Sequence, residues 1–132
     1  YEWYTQAIID LCDSGNYDIL GHPFNLRLFK NFPDFDVAPL LDRAAAALKK
    51  AGMAIDVNTG TLYRYPVQEI SPYPAFMKTA KRYDLPIVIS SDAHQPEDCG
   101  RSIDQAEEYA RSYGFEEVMV FTGRRAVPHR IG

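Results

Sequence analysis

The chain has 132 residues, 46% of them hydrophobic and 24% charged, with a formal net charge of -4. That is too apolar for a disordered segment and is ordinary for one globular unit with a core of moderate size. The acidic balance offers no broad positive field to a phosphodiester backbone, which excludes nucleic acid as the default partner and leaves open a small anion held by locally placed arginines.

The first predicted element covers residues 2–14, where Trp3, Ala7, Ile8 and Leu11 recur at helical spacing and Ser14-Gly15-Asn16 supplies a stop. Residues 17–22 are a short apolar run closed by Pro23, which suits a buried strand with His22 at its carboxyl end. A helix is expected over 36–50, with alanines at 44–47, two lysines in its last turn and Gly52 just beyond. A second strand follows at 53–58. Residues 73–83 read as a helix entered through Pro72 and Pro74, and 85–90 as a third strand rich in β-branched residues, with Asp92 and His94 just past its end. Another helix is expected at 101–113, closed by Gly114, then a fourth strand at 118–121 and a basic, irregular tail from Thr122. Strands alternating with helices predict an α/β fold of parallel βαβ units in a single domain over 1–132.

In parallel α/β architectures ligands bind at the carboxyl ends of the strands. That rule selects His22 after the first strand, Asp56 and Asn58 at the end of the second, Asp92 and His94 after the third, and 122–125 after the fourth. Imidazole and carboxylate together suit zinc, manganese or iron. Each residue alone also has a plain structural reading. His22 in Gly-His-Pro fits a turn or core histidine, Asp56 a turn or capping carboxylate, and Asn58 an Asx-turn before Gly60. Arg27 and Arg64 fit surface charges, yet both lie in loops directly after strands, where a guanidinium fork can hold a phosphate. Arg124-Arg125 is most simply a solvated tail. Ser90-Ser91 lacks a G-x-S-x-G elbow, which argues against a serine nucleophile. Cys12 and Cys99 lie far apart and form no C-x-x-C pair, a pattern that fits a reducing cytoplasm. No run spans a bilayer, and Tyr1-Glu2-Trp3-Tyr4 lacks the basic start of a signal peptide, so a cytoplasmic protein is expected.

Taken in order, these segments resemble the polymerase-and-histidinol-phosphatase (PHP) family of phosphoesterases, and its histidinol-phosphatases in particular. Residues 17–22, Tyr-Asp-Ile-Leu-Gly-His, resemble that family's "fDilgH" strand; Asp56-Val57-Asn58-Thr59-Gly60 with Arg64 resembles its "E-[IV]-N-T-G" strand. Ser90-Ser91-Asp92-Ala93-His94 resembles the closing "SDAH" motif, 96–100 its continuation, and 121–127 the last strand and tail. The resemblance implies the C-terminal part of a distorted seven-stranded TIM-like β/α barrel with a trinuclear centre of divalent metals, Zn, Mn or Fe, at its carboxyl rim. It implies that His22, Asp92 and His94 are metal ligands, that Asp92 and His94 are catalytic, and that Arg27 and Arg64 grip the substrate phosphate.

Two departures stand out. The family's glutamate is Asp56 here, one methylene shorter, so Asp56 and Asn58 are expected to support ligands rather than ligate. An aspartate shortly after the first motif is absent from His22-Pro23-Phe24-Asn25, as is any H-x-H strand. The expectation is therefore a C-terminal half of one PHP domain, lacking the N-terminal half with the H-x-H motif. Its expected work is hydrolysis of a small phosphorylated substrate, histidinol phosphate, in histidine biosynthesis; the isolated chain is expected to be inactive and to associate with itself or with the missing half. The alternatives are a polymerase-associated module acting on nucleic acid ends and a non-catalytic remnant of the fold.

Overall fold

A computed structural model describes all residues 1–132. The elements follow in chain order as helix α1 (Glu2–Ser14), strand β1 (Ile19–Leu20), a 3-10 turn (Asn25–Phe29), helix α2 (Ala38–Ala51) and strand β2 (Ala54–Asn58). Then come the short helix α3 (Gly60–Arg64), helix α4 (Pro74–Arg82), strand β3 (Ile87–Ser90), a second 3-10 turn (Pro96–Asp98) and helix α5 (Ile103–Ser112). Strands β4 (Glu117–Thr122) and β5 (Arg125–Arg130) close the chain.

Strands β1, β2 and β3 form a parallel sheet in that order, with Leu20 opposite Ile55 and Asn58 opposite Ser90. The central strand is buried along its whole length because alternate side chains serve opposite faces. Ile55 and Val57 enter the apolar core with Leu48, Phe76, Ala80 and Ile87, whereas Asp56 and Asn58 point to the other face. Helix α1 packs on α2, α2 on α4, and α5 on β3, so the helices cover the apolar side. Phe24 joins them, 1% exposed and ringed by Tyr4, Tyr73 and Phe76 at centroid distances of 5.4, 6.2 and 4.8 Å.

The expected α/β alternation and the parallel pairing of the first three strands are what the chain adopts. Two details differ. The strand expected at 118–121 does not extend the parallel ladder; it pairs antiparallel with β5, and the tail expected to be irregular is that second hairpin strand. The loop between them is two residues, Gly123 at φ 54° and Arg124 at φ 63°, the left-handed pair of a type I′ turn. Arginine is an unfavourable second residue there. Its guanidinium reaches Asp18 at 3.0 Å and the Gly15 carbonyl at 3.1 Å, contacts available only in the folded chain. The first strand is also shorter than expected, since the chain turns at Gly21 and passes through positive φ at His22 and Phe24.

Candidate functional site

The carboxyl ends of β1, β2 and β3 carry three polar networks. The first is built on Asp56, which is 5% exposed. Its Oδ2 accepts the backbone N–H of His22 at 3.2 Å and the Asn58 carboxamide N–H at 2.9 Å. His22 stands at φ 27°, a conformation that costs free energy in a non-glycine residue and that the Asp56 carboxylate braces. The His22 ring accepts a 3.3 Å hydrogen bond from the Asn25 carboxamide N–H at Nδ1, so in the neutral ring Nε2 carries the proton, and it has no protein partner. Asn58 is fixed by the backbone on two sides, opposite Ser90 in the sheet and bridged to Ser71. Asp56 Oδ1 and Asn58 Oδ1 are buried acceptors with no hydrogen-bond partner.

The second network joins Arg64 at the end of α3 to Asp92 beyond β3. The Arg64 fork donates to both the Asp92 carboxylate and the Asp92 carbonyl. Burial of the guanidinium works against its charge, but the hydrogen bond and charge of Asp92 outweigh it, so its pKa rises above the ordinary value. Asp92 itself sits at φ 48°, where aspartate is better tolerated than most residues. His94 Nδ1 lies 2.8 Å from the same carbonyl. A carbonyl only accepts, so Nδ1 carries the proton and Nε2 presents its lone pair, the orientation in which a ligating histidine is usually held. Gly60 faces the Arg64 guanidinium so closely that a Cβ there would lie 2.5 to 2.7 Å from it.

The third network surrounds Arg27. Its guanidinium lies 4.0 Å from the centroid of the Tyr73 ring and 4.6 Å from that of Phe32, and its Nη2 donates to Glu69 at 3.3 Å. Arg27 and Glu69 line a pocket of about 20 Å³ with Phe24, Thr61, Ser71 and Tyr73, room for about one water. Burial pushes the Tyr73 phenol up to about 12, against the opposing pull of Arg27.

His22, Arg27, Arg64, Asp92 and His94 lie beyond strand ends, whereas Asp56 stands in the middle of β2 and Asn58 is its last residue, and the set falls into separate groups. His22 belongs with Asp56 and Asn58, Asp92 and His94 with Arg64, and Arg27 with Glu69. As donors, two imidazoles and a carboxylate suit a divalent metal in kind: His94 as it is held, with its lone pair at Nε2, and His22 once Nε2 gives up its proton. In number they make part of a site, since no group of three or more His, Cys, Asp or Glu side chains gathers in this chain. Glu69 carries no signal in the sequence beyond its place in the segment after the second strand, while Gly60 reads there only as a turn and motif glycine and Tyr73 only as the start of a helix.

No family model matches the chain. It is 33% identical over 129 residues to a probable histidinol-phosphatase of Deinococcus radiodurans, a match covering 97% of this chain and 48% of that protein. It is 30% identical over 122 residues to a probable phosphatase of Vibrio vulnificus strain YJ016, covering 92% of this chain and 45% of the relative. The chain thus spans about half the length of the curated relatives it matches. Its structure resembles that of histidinol phosphate phosphatase from Lactococcus lactis, solved with zinc, L-histidinol and phosphate, with a TM-score of 0.75 at 23% identity over 95% of this chain and 49% of that one. The resemblance to PHP-type histidinol-phosphatases drawn from the motifs is thereby borne out, as is the partial barrel fold it implied.

Proposed function

We propose that this chain is the C-terminal half of a cytoplasmic, metal-dependent phosphomonoesterase that hydrolyses histidinol phosphate. The observation that carries the reading is that the rims of three adjacent parallel strands bear two imidazoles, a carboxylate and two arginines, the donors a metal-assisted phosphatase needs. The relatives' names and the zinc, histidinol and phosphate in the Lactococcus lactis structure support it.

In this reading His22, Asp92 and His94 hold zinc, manganese or iron, in a trinuclear centre completed by residues outside this chain. When bound, such metals supply Lewis-acid chemistry and activate water. Asp56 keeps the His22 backbone in its left-handed turn, and the Asp92 carbonyl keeps the His94 ring in one tautomer. Arg64 and Arg27 bind the phosphoryl oxygens, where their charge offsets the charge that builds up during transfer. In this reading the Asp92 carboxylate also takes up a proton of the attacking water, and His94 serves catalysis by holding metal through Nε2 while its Nδ1–H stays on the Asp92 carbonyl.

The test is a panel of phosphomonoesters on the full-length protein with added manganese or zinc, alongside metal analysis. Turnover of histidinol phosphate that chelation abolishes is the expected result. Protein that binds metal and hydrolyses only nucleic acid ends would replace this reading with the polymerase-associated one. Protein that binds no metal and turns over nothing would leave a fold retained without catalysis. The 132-residue chain alone, short of ligands, is expected to show no appreciable turnover.

A further inference from the structure

We propose that Glu69 is a specificity-determining residue, selecting phosphomonoesters that carry a positive charge close to the phosphate. The proposal rests on the phosphatase reading above and on the surroundings of Arg27. A carboxylate beside a phosphate-binding guanidinium is a poor arrangement for phosphate alone, because it cancels part of the field that attracts the anion and repels the substrate's own charge. An arrangement of that kind needs another reason.

Holding Arg27 in place is not a sufficient one. The guanidinium already has two aromatic partners, Tyr73 at 4.0 Å and Phe32 at 4.6 Å from the ring centroids. Glu69 adds a loose contact, both oxygens meeting the single Nη2 at 3.3 and 3.5 Å. The Glu69 side chain stays 39% exposed while that of Arg27 is 18% exposed, so the carboxylate faces outward from the more deeply set guanidinium. Each carboxylate oxygen keeps a free lone pair on that open side. The pocket that Arg27 and Glu69 line together, about 20 Å³, admits no more than a water, so a larger ligand meets this pair from solvent, where Glu69 is the more exposed member. A zwitterionic ligand satisfies both members at once: phosphate oxygens on Arg27 and a primary ammonium with three donors on Glu69. A phosphomonoester without that ammonium satisfies Arg27 alone and is repelled by Glu69. That is discrimination by an unfavourable group as well as a favourable one.

The test compares histidinol phosphate with its des-amino analogue on the metal-loaded full-length enzyme, as wild type and as Glu69→Gln. Glutamine keeps an acceptor for Arg27 and removes only the charge. The ratio of kcat/KM values between the two substrates is expected to favour the amino compound at least about tenfold in the wild type, and to fall by about tenfold in the variant. Free histidinol should likewise bind the variant about tenfold more weakly by calorimetry, with inorganic phosphate affinity unchanged or higher. A ratio that stays constant in the variant, whatever the absolute rates, would reduce Glu69 to a support for Arg27 and overturn the proposal. A wild type that hydrolyses both substrates equally well also overturns it while leaving the phosphatase reading intact. A wild type that hydrolyses neither substrate sinks both.

Discussion

Gly60→Ala isolates one contact on which the candidate site depends. The first residue of α3 has no need of glycine for its backbone, since its φ is not positive, and an alanine there gains up to about 1 kcal/mol of helix propensity. The obstacle is steric. An added Cβ would stand 2.5 to 2.7 Å from three atoms of the Arg64 guanidinium, closer than real contacts permit, so that guanidinium must move. Moving it strains or breaks the fork on Asp92. That pair is partly shielded, with side chains 16% and 31% exposed, so its charge-assisted hydrogen bonds are worth about 1–2 kcal/mol after discounting for solvent. The propensity gain and the lost pair nearly cancel in the fold, leaving Tm within a few degrees. Phosphate recognition has no such offset, and kcat/KM of the full-length enzyme should fall about 5- to 30-fold, the same free energy expressed as a ratio. The decisive measurement is a double-mutant cycle with Arg64→Ala. If glycine acts by making room for the guanidinium, Gly60→Ala costs nothing further once Arg64 is gone. An undiminished loss in the Arg64→Ala background would show that Gly60 serves something else.

Asp92→Asn keeps a residue that tolerates φ 48° and removes the charge, so turnover by the full-length enzyme should drop by at least the roughly 10–100-fold typical of groups supporting a metal site, with bound metal reduced in elemental analysis. Unchanged metal content with full activity would remove Asp92 from the site. Phe24→Ala empties a fully enclosed aromatic cluster and should cost about 3–5 kcal/mol in urea unfolding; a cost under 1 kcal/mol would mean the ring is not packed as described. The Tyr73 phenol holds its proton more tightly in the folded chain than when unfolded, with about 12 replacing the ordinary 10.0. Its contribution to stability is therefore full below pH 10 and declines as pH rises from 10 through about 12. Tyr73→Phe should flatten the alkaline fall in Tm, and an identical fall in both proteins would refute the assignment.

The elements most visible in the sequence were those whose stability is local. Helix α2 announces itself through its alanine run, two lysines in the last turn and Gly52 just beyond, and its observed span, Ala38–Ala51, differs little from the expected 36–50. Strand β2 was equally legible, because a strand buried on both faces reads as continuous apolar residues interrupted only where function or a network intervenes. The hairpin of β4 and β5 was not. Its turn is Gly123-Arg124 rather than Asn-Gly, and the arginine's left-handed backbone is compensated by Asp18, a residue 106 positions earlier. Pairing of that kind is set by tertiary contact, and β5 is exposed along its length, so it has no inward face to give it an apolar alternation.

The same distinction divides the site. His22, Asp92 and His94 could be nominated because they terminate strands, a position the sequence marks by apolar runs ending in polar residues. How they are held could not be read, because the holding groups are a neighbouring strand's carboxylate for His22 and a backbone carbonyl for His94. Asp56 shows the difference best. Its shortness relative to a glutamate suggested a supporting role, but the structure alone reveals what it touches: the N–H of a histidine forced to φ 27° and the amide of Asn58 two residues on. One of its oxygens and one of Asn58's remain buried without partners, at a cost of about 1–3 kcal/mol for each such group. A cost of that size on the inner face of the central strand persists where something offsets it. The oxygens lie on the face turned away from the helices, beside the strand ends that carry His22 and Asp92, where the hydrogen bonds to His22 and Asn58 offset part of that cost.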